Sequence, residues 1–226
     1  MDARLPPRLA RLLIAVTLLP VLPGAARTVH VSAVTGDDAA GDGSTTRPWR
    51  TLTHALAPAQ GLIEGDEVMA GTGTHDMALG EVFPVDVPQG VSIHGDPAMG
   101  TRLRLGNTPP FPVALLRPVV GTQVIAVPSR IDHLVFEGPG AGSATTAVLF
   151  VPDRGAGPEL EACRITGFGR AVASELALSG APRVRYDSRP FVDGNRLHGN
   201  GIGIRKTAAG VAARPPCEDP SGGLGR

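Results

Sequence analysis

From residue 88 onward, apolar and polar residues alternate in short runs, each bounded by glycine or proline. Val91 and Ile93, Leu134 and Phe136, and Cys163 and Ile165 keep a spacing of two, the period of a strand with one buried face. Four segments align without gaps: PQGVSIHG (88–95), IDHLVFEG (131–138), LEACRITG (160–167) and VDGNRLHG (192–199). Each ends in glycine. Val91, Leu134, Cys163 and Asn195 share one aligned position, and Ile93, Phe136, Ile165 and Leu197 share another. A second apolar run follows each glycine: TRLRL (101–105), TAVLFV (146–151), RAVAS (170–174) and GIGIRK (201–206). Phe136 to Ile165 is 29 residues and Ile165 to Leu197 is 32, within the range of stacked repeats. Ile93 to Phe136 is 43, read as two coils, with the intervening one in 107–128. Strands this short cannot bury an inner face alone. Stacking coils about 4.8 Å apart gives each a ladder partner and a continuous interior. The pattern therefore predicts an all-β chain, a short right-handed parallel β-helix over 61–206. A β-sandwich of hairpins would alternate too, but it gives no reason for one octet to recur in register.

The segment before the repeats has a different texture. Val29 to Ser32 reads as a strand, 35–48 as a polar loop, and 49–57 as a short amphipathic helix with Leu52, Ala55 and Leu56 on one face, stopped by Pro58. An open β-helix end exposes strand edges and apolar interior, so 27–60 is expected to cap it.

VHVSAVTGDDAAGDGSTTRPWRTLTHAL (29–56) resembles the opening motif of many secreted β-helix proteins, and GDEVMAGTGTH (65–75) resembles the strand and turn that follow it. GEVFPVDVPQGVSIHGD (80–96), the most specific stretch, is similar to a domain-of-unknown-function family of bacterial, pectate-lyase-like β-helix proteins. The resemblance extends over roughly 28–205. It implies a fold and carries no assigned reaction. Ala208 to Arg226 departs from it, being rich in glycine and proline without a strand pattern, and is expected to be an irregular tail.

Composition narrows the class further. Lys plus Arg equals Asp plus Glu, 21 each, which argues against a nucleic-acid binder. Arg4, Arg8 and Arg11 precede an apolar run from Leu12 to Leu22 and the small residues Gly24, Ala25 and Ala26. This reads as a signal peptide cleaved after Ala26, hence a secreted or periplasmic protein. The run is too short to span a membrane, and no later segment is long enough. Aromatic residues are only 4%, which weighs against a strong carbohydrate-binding platform. Of the two cysteines, Cys163 falls at an inward position and reads as a small buried residue; pairing with Cys217 is open.

The aligned repeats place Ser92, Val135, Arg164 and Arg196 in one outward row and His94, Glu137, Thr166 and His198 in the next. Glu137, Arg164, Arg196 and His198 are thus the candidate catalytic set. Substrates of β-helix polysaccharide lyases lie along such a face. An arginine would hold a uronate carboxylate, and His198 would take the α-proton. The partner so implied is an extracellular polysaccharide. The alternatives are a non-catalytic surface module and a shortened copy of a larger relative, since outward positions are polar simply by facing water. Asp37, Asp38 and Asp42 offer hard oxygen ligands suited to Ca²⁺, or else caps for a loop of Asx turns. Asn195 reads as structural, and His54 and His75 as surface residues.

Overall fold

A computed structural model describes residues 25–106, 112–118, 129–150, 159–175, 191–193 and 195–207. Residues 1–24 of the expected signal segment 1–26, the tail 208–226 with Cys217, and most of 107–128 lie outside the described residues. Strand β1 (Thr28–Val31) and helix α1 (Leu52–Ala55) form the cap. Among the described residues five coils follow, each of three strands. Coil 1 is β2 (Glu67–Ala70), β3 (Gly73–His75) and β4 (Val85–Val87). Coil 2 is β5 (Ser92–His94), β6 (Thr101–Arg104) and β7 (Ala114–Pro118). Coil 3 is β8 (Arg130–Asp132), β9 (Leu134–Glu137) and β10 (Thr146–Phe150). Coil 4 is β11 (Glu159–Glu161), β12 (Arg164–Thr166) and β13 (Arg170–Glu175). Coil 5 is β14 (Phe191–Asp193), β15 (Arg196–His198) and β16 (Ile202–Thr207).

Every third strand joins the same sheet. Sheet A is β1-β2-β5-β8-β11-β14, sheet B is β3-β6-β9-β12-β15, and sheet C is β4-β7-β10-β13-β16. All pairings are parallel, giving the expected all-β parallel β-helix with a strand-plus-helix cap. Inward residues pile into columns. Val29, Val68, Ile93, Ile131 and Leu160 stack under sheet A, and His75, Leu103, Phe136, Ile165 and Leu197 under sheet B. Ile93, Ile131, Leu103, Phe136, Leu160 and Ile165 are fully buried.

The register corrects the sequence alignment in its first copy. Leu134–Cys163–Asn195 and Phe136–Ile165–Leu197 hold as columns, but Ile93 pairs with Ile131 in sheet A rather than with Phe136 in sheet B. The 43-residue step therefore spans no extra coil. Ile93 to Ile131 is one coil lengthened by its loops, and β7 completes coil 2. Ser92 and His94 likewise stand on sheet A, apart from the rows predicted for them. The false match arises because glycine is required at both corners, for different reasons. A Cβ on Gly95 would lie 2.2 Å from the His133 carbonyl oxygen, where β5 leaves sheet A. Gly167, with φ +77, closes sheet B, and a Cβ on Gly138 would lie 2.3 Å from its carbonyl oxygen. The turn from sheet A to sheet B is one residue in coil 3, His133 (φ 55), but six residues (95–100) in coil 2.

The cap also departs in detail. Trp49 does not start the helix. It bridges Val31 in parallel and is buried. Helix α1 covers one turn, with Thr51 at its N-cap accepting from His54 N at 3.0 Å and Leu52, Ala55 and Leu56 buried. His75 is a core residue, not a surface one. It faces inward beside Leu103, and its Nδ1 stands 3.0 Å from the buried Glu81 Oε1.

Candidate functional site

Sheet B brings together the four residues predicted for catalysis. Arg164 pairs with Arg196 in register, continuing a column that begins with Thr74, Arg102 and Val135. The adjacent column is Arg104, Glu137, Thr166 and His198. All four predicted residues thus stand on one outer face. Their partners were not anticipated. Glu137 accepts from Arg102 Nη1 at 2.6 Å and from Arg104 Nε at 2.7 Å, both on the preceding coil. Burial pushes the Glu137 carboxyl up, but the two guanidinium groups outweigh it and hold the pKa below the usual carboxylate range. Glu137 is therefore occupied as a clamp between coils 2 and 3. Arg164, Arg196 and His198 are exposed and make no ion pair among the described residues. Among the described residues the face is strongly basic: four arginines against one carboxylate.

The three loop aspartates do not converge. Asp37 Oδ1 accepts from Ala39 N (2.8 Å) and Ala40 N (3.0 Å). Asp38 accepts from Arg50 N (2.7 Å), Thr51 N (3.1 Å) and the Thr51 hydroxyl (2.7 Å). Asp42 accepts from Ser44 N at 3.0 Å and from Arg47 Nη1 at 3.3 Å. Asp37 and Asp42 thus each cap a local turn, while Asp38 reaches across to the Arg50–Thr51 backbone ahead of α1. Among the described residues, no group of three or more His, Cys, Asp or Glu is placed to hold a metal ion. Backbone amides from Ala40 and Ala39 hold Asp37 below its usual pKa, and Ser44 does the same for Asp42.

Inward polar residues are structural. Asn195 Oδ1 accepts from Cys163 N at 2.8 Å, and its Nδ2 donates to the Leu160 carbonyl at 2.7 Å. Asn200 serves Phe168 N and the Ile165 carbonyl in the same way, at 2.9 Å each. Cys163 is a free buried thiol, pushed up to about 12 by burial.

Sheet A carries a second polar cluster that the repeat alignment concealed. One outward column reads Thr28, Glu67, Ser92, Arg130 and Glu159, and its neighbour reads His30, Met69, His94, Asp132 and Glu161. Arg130 Nη2 donates to Glu161 at 2.6 Å, and its Nε lies 2.9 Å from Asp132 Oδ2. His94 and His133 both contact Asp132. The signal was present in the sequence, since Ile131-Asp132-His133 follows Ile93-His94 once those two isoleucines are superposed. Superposing Ile93 on Phe136 instead hid it.

The geometry defines a parallel β-helix with a basic face B and an acidic, histidine-bearing face A. Among the described residues no helix is long and apolar enough to cross a membrane. Residues 34–110, from the cap loop to just past β6, match the model of a family described as a protein of unknown function (DUF1565). Over that stretch, about a third of its length, the chain is similar to this family, in keeping with the resemblance carried by 80–96. No curated protein and no solved structure matches the chain.

Proposed function

We propose that this chain is an exported β-helix that binds an acidic extracellular polysaccharide along the outer face of sheet B. The observation that carries the reading is the arginine column. Arg102, Arg164 and Arg196 share one register line, Arg104 flanks it, and Arg164 and Arg196 are exposed without an anionic partner among the described residues. Rungs are about 4.8 Å apart; Arg164 and Arg196 stand on successive ones and Arg102 two before Arg164, across Val135, so a row of guanidinium groups runs along the coil stack. Their planar forks suit the carboxylates of an extended polyuronate. His198 lies two residues from Arg196 on the same face. A β-elimination there would use it as the base while Arg164 and Arg196 hold the carboxylate. Glu137 would keep the Arg102 and Arg104 side chains fixed. Export is supported by Arg4, Arg8 and Arg11 ahead of the apolar run ending at Leu22.

Calorimetric titration of purified 27–226 with polygalacturonate and with neutral dextran tests this reading. Binding is expected for the acidic polymer alone, weakened by 0.5 M salt (roughly a 4 Å screening length) and at least about tenfold by R164A/R196A. Equal affinity for both polymers would remove the proposal. Absorbance from new unsaturated ends in the same mixtures reads turnover, expected to vanish in H198A. N-terminal sequencing of the exported chain is expected to begin at Arg27.

A further inference from the structure

Sheets A and B carry opposite charge on their outer sides. On A, Glu67, Asp132, Glu159 and Glu161 stand with Arg130, four carboxylates against one guanidinium. On B, the four arginines stand with Glu137. Among the described residues each side thus holds three unbalanced charges, negative on A and positive on B. Contacts within the chain do not consume this excess. Arg130 serves Asp132 and Glu161, whereas Glu67 and Glu159 have no arginine or lysine partner among the described residues. Arg164 and Arg196 likewise have no carboxylate there.

Both sides are ladders with the same rung spacing, about 4.8 Å, so one can be laid on the other residue by residue. Two identical coil stacks side by side, with their axes pointing the same way, present oppositely running strands where they touch, because both wind in one hand. The Thr28–Glu67–Ser92–Arg130–Glu159 column of one copy then faces the Arg104–Glu137–Thr166–His198 column of the other. Its neighbour, His30–Met69–His94–Asp132–Glu161, faces Thr74–Arg102–Val135–Arg164–Arg196. A stagger of one rung, coil 1 of A over coil 2 of B, matches the charges throughout. Glu67 meets Arg104, Glu161 meets Arg196 and Glu159 meets His198, while Arg130 falls on Thr166 and Glu137 on Ser92. Asp132, only 5% exposed, lies opposite Arg164 and acts on it through its field. No like charges meet. Without the stagger, Arg102 and Arg104 face His94 and Ser92. The opposite stagger sets Arg130 against Arg104 and Glu159 against Glu137, and such juxtapositions select against a register. With the axes opposed, the register that pairs the most charges sets Asp132 against Glu137.

We propose that the chain assembles with further copies of itself, sheet A of one copy docking on sheet B of the next with axes parallel and one rung out of step. The contact is heterologous: each copy keeps one free A side and one free B side, so addition continues. The one-rung step carries every added copy along the axis, which denies a planar ring and gives an open helical filament. This assembly goes beyond the polysaccharide reading and does not depend on it. Where both hold, an acidic polymer and sheet A compete for the same arginines.

Sedimentation velocity of the mature chain 27–226, in buffer free of polysaccharide, provides the test. At low salt the sedimentation coefficient is expected to rise with protein concentration without settling at a fixed stoichiometry, and to return to the monomer value at about 0.5 M salt. E67K/E159K spoils sheet A and R164E/R196E spoils sheet B, so each variant alone is expected to stay monomeric. Mixed in equal amounts, the first offers an intact B side and the second an intact A side. A one-to-one dimer is expected and nothing larger, and its formation shows that both variants are folded. A charge swap reads the register. H198E sets a carboxylate against Glu159 and is expected to weaken association about tenfold, and E159K/H198E is expected to restore it. Wild type that stays monomeric at low salt up to about 1 mM would overturn the proposal. So would a mixture that forms no dimer although both variants melt like the wild type, a mixture that grows past a dimer, or a swap that restores nothing.

Discussion

Glu81 sits at the junction of cap and first coil, where one buried carboxylate meets four donors. Oε1 accepts from Leu52 N at 2.7 Å and faces His75 Nδ1 at 3.0 Å, while Oε2 accepts from Thr53 N at 2.9 Å and from the Thr53 hydroxyl at 2.6 Å. Glu81 thus satisfies the first amides of α1 from 29 residues away in sequence. E81Q turns an amide NH₂ toward donors and is expected to cost about 3 kcal/mol, read as a lower urea midpoint at unchanged slope. Ala162 holds φ 48 at the tight corner between sheets A and B, a left-handed conformation that costs a β-carbon roughly 1–2 kcal/mol. A162G relieves that strain and loses some of the gain to chain entropy, so a net stabilisation of about 0.5–1 kcal/mol is expected in the same assay. Glu137 sets a pH dependence. Its folded pKa is depressed, so its contribution is complete above the unfolded value and disappears as pH falls through the folded one. Its carboxyl ¹³C titration is expected to have a midpoint below the ordinary glutamate range, and R102A/R104A to move that midpoint upward.

Among the elements, the columns under the three sheets carry the stability. Phe136 is fully buried between Leu103 and Ile165, and F136A is expected to cost about 3–5 kcal/mol, against a small effect for exposed neighbours such as Arg164. At this scale the limits of the sequence are clearest. Alternation marked β9, β12 and β15 correctly because each follows a corner of only one or two residues, so Phe136, Ile165 and Leu197 stay in one column. It could not say which sheet a strand joins, because every inward position reads the same. The six-residue loop after β5 then moved β6 out of alignment, and the run Ala114–Pro118 had no alternation to show, with Ala114, Leu115 and Leu116 all buried. The arginine face was half legible: Arg164, Arg196, His198 and Glu137 came from the aligned repeats, whereas Arg102 and Arg104 depended on the register of β6. Helix α1 shrank to one turn because Trp49 pairs with β1 instead.

The whole molecule is a three-sided stack in which side-chain chemistry is sorted by face. A formal net charge of zero conceals this sorting. Sheet B gathers arginine, sheet A gathers carboxylate and imidazole, and in coil 3 only His133 separates the two. Such a body has a transverse polarity despite its neutrality. Settling on a negatively charged matrix, it would come to rest arginine side down, and the imidazole side would be left facing the open solution.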